Sequence, residues 1–363
     1  MLTFHASHIQ CTDGEVTPQK IMRVLKSTGL RTKSVTCILK KMNARKPINA
    51  AIPGIACAIL FTVIVAGNFS LRAEYFLFTS FRGNGESGLH LLLSTNGYHW
   101  ITLNDDKPFL KPEIGYKLLR DPCIAQGPDG VFHLVWTTGW RADRGRSIGY
   151  AKSTNLIHWE GQRAIYLMQE YDEVLNLWAP ELFYNHKTGE WLIFWSSTVP
   201  SKYQIVPGDD MNHRIYYTKT RDFTNFTPSK IFFDPGYNVI DATLLEVNGK
   251  YYLFFKDERK IPEIKKCIKF AVADNPEGPF KNVSEPITGN WCEGPSAIKI
   301  GDEYLVYYDH YTRGVYYGAV RSKNLINWED CSKEMSFPPG HKHGTIIRIQ
   351  EDLAIKLLQY RSD

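Results

Sequence analysis

Residues 147–159 read SIGYAKSTNLIHW: a short strand of small, apolar and aromatic residues, a Ser-Thr-Asn turn and a closing tryptophan. The phrase recurs as STNGYHW (94–100), TRDFTNF (220–226), ADNPEGPF (273–280) and SKNLINW (322–328). Five copies spaced 49 to 67 residues apart imply five structural units, since a recurring spacing of this length marks a repeat architecture.

Upstream of each copy lies the strand that leads into it, as in HRIYYTKT and VYYGAVRS. Before that comes an aromatic strand (VFHLVWTTGW, WLIFWSST, YYLFFKDE, YLVYYDHY), reached through a Gly-, Asn- or Asp-bearing turn (GPDG, HKTGE, VNGK, IGDE). The unit opens with an acidic or His residue at the head of an apolar strand: RDPCIA with Asp121, APELFY with Glu181, IDATLL with Asp241, EGPSAI with Glu293 and HGTIIRI with His343. Short β-branched and aromatic runs between turn residues, with almost no helical period, describe an all-β chain. Four antiparallel strands per unit describe a propeller blade. The first copy, YFLFTSF and GLHLLLSTNGYHW, lacks an acidic first strand, and the last, HGTIIRI and LAIKLLQ, has a first strand and little after it. Joined, the two ends make one blade. The sequence predicts a five-bladed β-propeller over 74–363, closed by pairing of N- and C-terminal strands so that no sheet edge is left free.

The 363 residues are 43% hydrophobic and 22% charged, which excludes a disordered or coiled-coil chain. The net charge of +5 belongs to the leader, where residues 1–49 hold nine Lys and Arg against Asp13 and Glu15. The folded part is slightly acidic and offers no electrostatic footprint for nucleic acid. Residues 50–67 (AAIPGIACAILFTVIVAG) are apolar and follow Lys40, Lys41, Arg45 and Lys46, the layout of an export signal. Residues 1–73 are therefore a basic leader with either a cleaved signal or a membrane anchor, and the propeller faces the periplasm or the exterior. Four cysteines, Cys123, Cys267, Cys292 and Cys331, follow the leader without a metal-binding spacing and read as buried thiols.

First strands line the channel of a propeller, so Asp121, Glu181, Asp241, Glu293 and His343 should meet at one end of its axis. Converging carboxylates repel and are costly to desolvate, so such a set calls for a reason. Two carboxyls across a polar pocket suit glycoside hydrolysis: one activates water, the other protonates the departing oxygen, and a third tunes the acid. The turns after the second strands bring Arg82, Trp140, Ser197, Lys256 and Asp309 to the same rim as candidate sugar contacts, with Trp140 for stacking.

The succession RDP, WAPELF, NVIDATLL, EGPSAI and HGT, in this order and spacing, resembles glycoside hydrolase family 43, over essentially all of 74–350. The resemblance implies a five-bladed propeller with Asp121 as catalytic base, Asp241 as modulator of the acid and Glu293 as the acid. It implies α-L-arabinofuranosides, β-D-xylosides or related furanosides as substrates, attacked with inversion. The family commonly has Trp-Ala-Pro-Asp where this chain has Glu181, which is assigned to substrate binding. His343 matches the family's histidine beside an axial calcium or water cluster, making a structural calcium the one metal to consider; no cofactor is required. The insertion SKYQIVPGDDMNHR (201–214) fences the pocket toward exo action. Two alternatives stay open: a propeller that binds glycans without cleaving them, and a retaining fructan-type hydrolase, although the Asn-Asp-Pro-Asn motif of the latter is missing. Oligomeric state is not legible.

Overall fold

The structure, a computed structural model, describes residues 74–140, 146–312 and 314–362; the leader with its apolar run 50–67 lies outside these residues. Five antiparallel sheets follow one another as the blades of a propeller. The first blade holds strands Arg120–Gln126, Phe132–Thr137, Ser147–Ser153 and Glu160–Tyr166. The second holds Trp178–Asn185, Glu190–Thr198, His213–Thr220 and Lys230–Phe233. The fourth holds Cys292–Ile300, Glu303–His310, Tyr316–Ser322 and Glu329–Asp330. In the closing blade Tyr75–Arg82 pairs on one side with His90–Ser94 and on the other with Ile346–Ile349 and His341–Lys342. Tyr75 stands opposite Ile349 and Arg82 opposite His341, so the two ends of the domain shut the ring.

The repeated phrase is a hydrogen-bonded turn that the side chains build. Ser153 Oγ accepts the amides of Asn155 and Leu156, and Asn155 Oδ1 accepts those of Ile157 and His158. Ser94 with Asn96, Thr220 with Asp222 and Ser322 with Asn324 repeat the arrangement. A polar side chain that satisfies two or three amides lets the chain reverse without losing backbone hydrogen bonds. The third blade departs from the pattern. It has three strands, Val239–Val247, Lys250–Asp257 and Cys267–Ala273, and its outer edge shrinks to the bridge Val272–Lys281. Pro279 and Pro286 flank that bridge and have no N–H to donate. A second departure is the segment LAIKLLQ, which is part of a helix, Glu351–Gln359. It buries Ala354 and Leu357 with Leu77, Leu93, Ile124 and Leu134, a helical spacing too short to stand out against the strands.

Apolar clusters fill the spaces between blades, and the cysteines 123, 267, 292 and 331 are buried free thiols, as expected. Trp136 and Trp195 are fully buried. Gly149, opposite Trp136 on the next strand, has no room for a side chain: a Cβ there would stand 1.9 Å from Trp136 Cε2. Gly149→Ala is expected to destabilise the domain by roughly 1–3 kcal/mol through overpacking. Gly289→Ala, where nothing lies within 4 Å, should leave the denaturation midpoint unchanged. Equal midpoints for the two variants would show that Trp136 has room to move.

Candidate active site

The first strands of four blades share an irregularity. The pairing register breaks between Arg120 and Cys123, between Trp178 and Glu181, between Ile240 and Thr243, and between Glu293 and Ser296. In each break one residue adopts a left-handed backbone: Asp121 (φ 50°), Ala179 (φ 47°), Asp241 (φ 54°) and Gly294 (φ 59°). These are β-bulges, which re-aim side chains at a strand end. Left-handed backbone at a non-glycine residue costs about 1–3 kcal/mol and persists where the surroundings impose it, commonly at functional sites.

The bulges correct the sequence reading. Asp121 and Asp241 occupy equivalent positions, but Glu293 precedes its bulge glycine by one residue and Glu181 follows Ala179 by two. Equal spacing of the acids along the chain is therefore not equal position in the blade. Glu181 sits deeper on the axis, its oxygens taken by Thr345 Oγ1 at 3.0 Å and Thr243 Oγ1 at 3.2 Å. It is buried rather than at the rim where a sugar would touch it.

At the mouth the acids are joined through His343. Its Nδ1 lies 3.4 Å from Asp121 Oδ1, and its amide donates to Asp309 Oδ2 at 2.6 Å. Gly294 makes room for the ring, since a Cβ there would stand 2.4 Å from His343 Cγ. The Gly294 amide donates to Asp241 Oδ2 at 3.1 Å, and the Asp241 amide donates to Ser196 Oγ at 3.0 Å. Asp241 thus contacts the residue next to Glu293. On the other flank Lys256 Nζ reaches Glu293 Oε2 at 2.8 Å and Glu258 Oε2 at 2.7 Å, and Lys266 pairs with Glu258 in turn.

These surroundings give the carboxyls different character. Burial works against the charge of His343, but Asp121, Asp241 and Asp309 outweigh it and raise the imidazole to about 10. Burial alone would raise Asp121 as well; the His343 imidazolium, with Arg120 and Thr137, holds it below the usual aspartate range. Asp241 is raised to about 6, first by burial and then by the charge of Glu293, with His343 opposing. Burial likewise raises Glu181 and Asp309 to about 7. Lys256 resists burial because Glu293 and Glu258 hold its proton. The mouth therefore holds one carboxylate kept ionised, one poised near neutrality, and Glu293, a third exposed, between them and Lys256.

The other sequence candidates are dispersed. Ser197 is buried, accepts from Trp195 Nε1 at 3.1 Å and donates to the Asn176 carbonyl at 2.6 Å, so it holds the strand and does not face substrate. Asp309 is buried beneath His343 and anchors its backbone. Arg82 pairs with Asp106 in a separate cluster with His90 and His341 on the closing blade. Lys256 is buried against Glu293 and acts on the acid itself. Trp140 is 49% exposed, with the Arg120 guanidinium 4.0 Å over its ring and Trp178 packed edge-on at 6.0 Å. Glu258, His213 and Asn238 beside it were not legible, since they stand at strand ends where nothing in the residue pattern singles them out.

The axial donors do not suit calcium. The Glu181 oxygens accept from two threonine hydroxyls, and the carboxyls around His343 are engaged by its ring and by backbone amides. Among the described residues no group of three or more His, Cys, Asp or Glu is arranged to hold a metal ion.

The profile of the glycosyl hydrolase 43-related family, described as "probable glycosyl hydrolase domain", matches residues 73–353. The chain is 26% identical over 181 residues to an α-L-arabinofuranosidase of Bifidobacterium longum subsp. longum, covering 44% of this chain and only 17% of that relative's length. Among solved structures, an α-L-arabinofuranosidase from Lactobacillus brevis superposes with a TM-score of 0.48 at 18% identity, over 59% of this chain and 72% of that one. An exo-β-1,3-galactanase from Phanerochaete chrysosporium does so with a TM-score of 0.46 at 14% identity, over 58% and 49% of the two chains. A family match that runs through all five blades decides the assignment: the chain belongs to the glycosyl hydrolase 43-related family.

Proposed function

We propose that the protein is an exo-acting, inverting glycoside hydrolase that removes terminal α-L-arabinofuranosyl units from oligosaccharides or polysaccharide side chains. The observation that carries the reading is the division of labour at the mouth: Asp121 kept ionised by His343, and Asp241 raised to about 6 and bonded beside Glu293. Asp121 takes a proton from water as that water attacks the anomeric carbon. Glu293 gives a proton to the departing oxygen, and Asp241 holds the Glu293–Gly294 segment in place through the Gly294 amide. Inversion requires the two working carboxyls to stand about 6.5–9.5 Å apart, with water between them. The sugar rests on the name of the Bifidobacterium relative, and xylosyl and other furanosyl units are the competing substrates. The basic leader and apolar run 50–67 support export, with the propeller working outside the cytoplasm, cleaved from the leader or anchored by it.

A panel of 4-nitrophenyl glycosides (α-L-arabinofuranoside, β-D-xyloside, β-D-galactoside) identifies the sugar, and proton NMR of the first-formed anomer reads the stereochemistry. Asp121→Ala is expected to lower turnover by about 10²–10⁴-fold on every substrate. Glu293→Ala should lose more on arabinotriose than on the aryl glycoside, whose leaving group needs little protonation. Wild-type rates in either variant, or glycan binding without released sugar, would refute the enzyme reading.

The pH dependence follows from His343. A general base works only when deprotonated, and His343 keeps Asp121 below its ordinary range, so activity should persist on the acid side to below about pH 4. In His343→Gln burial of Asp121 is no longer opposed by the imidazolium, so its affinity for the proton rises and the acid limb of the kcat/KM profile moves to higher pH. An unmoved limb would show that Asp121 is not the group titrating there.

A further inference from the structure

Beside the catalytic mouth lies a cleft of roughly 300 Å³ lined by Trp140, Trp178, Asp209, His213, Glu258 and Lys260, with Asp210, Met211 and Asn238 completing it. None of the three catalytic carboxyls lines it, yet a single lysine links it to them: Glu258 on its wall holds Lys256, which holds Glu293. His213 distinguishes it from a surface hollow. The side chain is 2% exposed, and Asn238 Oδ1 lies 2.9 Å from both its backbone amide and its Nδ1. An amide oxygen only accepts, so Nδ1 carries the proton and Nε2 presents a lone pair. Burial lowers His213 to about 4, which keeps the ring neutral. Nε2 is buried and has no hydrogen-bond partner among the described residues. A buried acceptor left unpaired costs about 1–3 kcal/mol, so a site that keeps one is built for a donor that arrives with the ligand.

We propose that this cleft is the subsite for the neutral sugar ring adjoining the scissile bond, and that His213 Nε2 accepts one of its hydroxyls. The inference rests on the reading above: with one terminal unit removed at a time, the adjoining ring lies on the leaving-group side, the side that Glu293 serves. Trp140 and Trp178 offer aromatic faces for the C–H surface of a ring. The Lys260 ammonium, held 3.4 Å from Asp209 and 3.6 Å from Asp210, is positioned to donate to further hydroxyls. Lys260 is already shared by Asp209 and Asp210, and Lys256 and Lys266 are taken up by Glu258, so no cation is left free for a uronic acid, which sets the ligand class as a neutral sugar. Residues 201–214, which bear Asp209 and His213, thus contribute specificity as well as a fence.

The test compares α-1,5-linked arabinotriose, which places a sugar in the cleft, with 4-nitrophenyl α-L-arabinofuranoside, whose aglycone has no hydroxyl to donate. For His213→Phe the ratio of kcat/KM on arabinotriose to that on the aryl glycoside should fall about tenfold, the worth of one buried hydrogen bond. Should that variant not fold, Lys260→Ala at an exposed loop position should lower the same ratio by about threefold, the low end of the worth of an ordinary hydrogen bond because the ammonium is exposed to water. An unchanged ratio in the folded variants would overturn the subsite while leaving the catalytic reading intact. Failure of the wild-type chain to cleave either substrate would overturn the arabinofuranoside reading and the subsite with it.

Discussion

A single imidazolium makes this channel possible. Asp121, Asp241, Asp309 and Glu181 are all withdrawn from water near one axis, where like charges could not all ionise. His343 resolves the conflict unevenly. It holds a proton against burial and spends that charge mainly on Asp121, the carboxylate it contacts. The others compensate by rising toward neutrality. Four chemically similar groups thereby become groups of different acidity, which is the requirement for running acid and base chemistry side by side. Gly294 belongs to the same arrangement, because any larger residue would collide with the imidazole.

The bulges translate that electrostatic pattern into geometry. A regular strand alternates its side chains between two faces, so residues at the head of each strand would present themselves identically. One extra residue in each of four first strands breaks the uniformity. Asp121 and Asp241 sit on the bulge, Glu293 stands before it, and Glu181 drops below. The left-handed backbone at two aspartates is a modest strain relative to the stability of a domain this size, and the ring around them enforces it.

How much of this was written plainly in the sequence depends on the range of the interaction. The Ser/Thr-x-Asn/Asp turn is local: two side chains accept the amides of the next few residues, so the phrase can be recognised wherever it falls, and with its looser copy at 273–280 it gives the number of blades. The pairing of the chain ends followed from two incomplete copies. The three acids could be singled out because their neighbours, Pro122, Gly294 and Ala242, mark strand heads. Their relative height did not survive, because a bulge is decided by register with a second strand and leaves no mark on residue spacing. Ser197 shows the limit on loop-rim assignments: one residue further along a strand reverses the side chain, and its hydroxyl turns to Trp195 and Asn176. The helix at Glu351–Gln359 was hidden for another reason, since its two buried residues offer no period a strand could not imitate.

The closing blade assigns an order to events in the life of the molecule. His343 belongs to the same terminal stretch as Ile346–Ile349, which docks against Tyr75–Arg82. During synthesis, then, the acids emerge first and their counter-charge last. A nascent polypeptide already long enough to display four blades still carries Asp121 without the His343 imidazolium. Closing the ring and bringing the imidazole to Asp121 are thus one event, since the same stretch of chain carries the docking strand and His343.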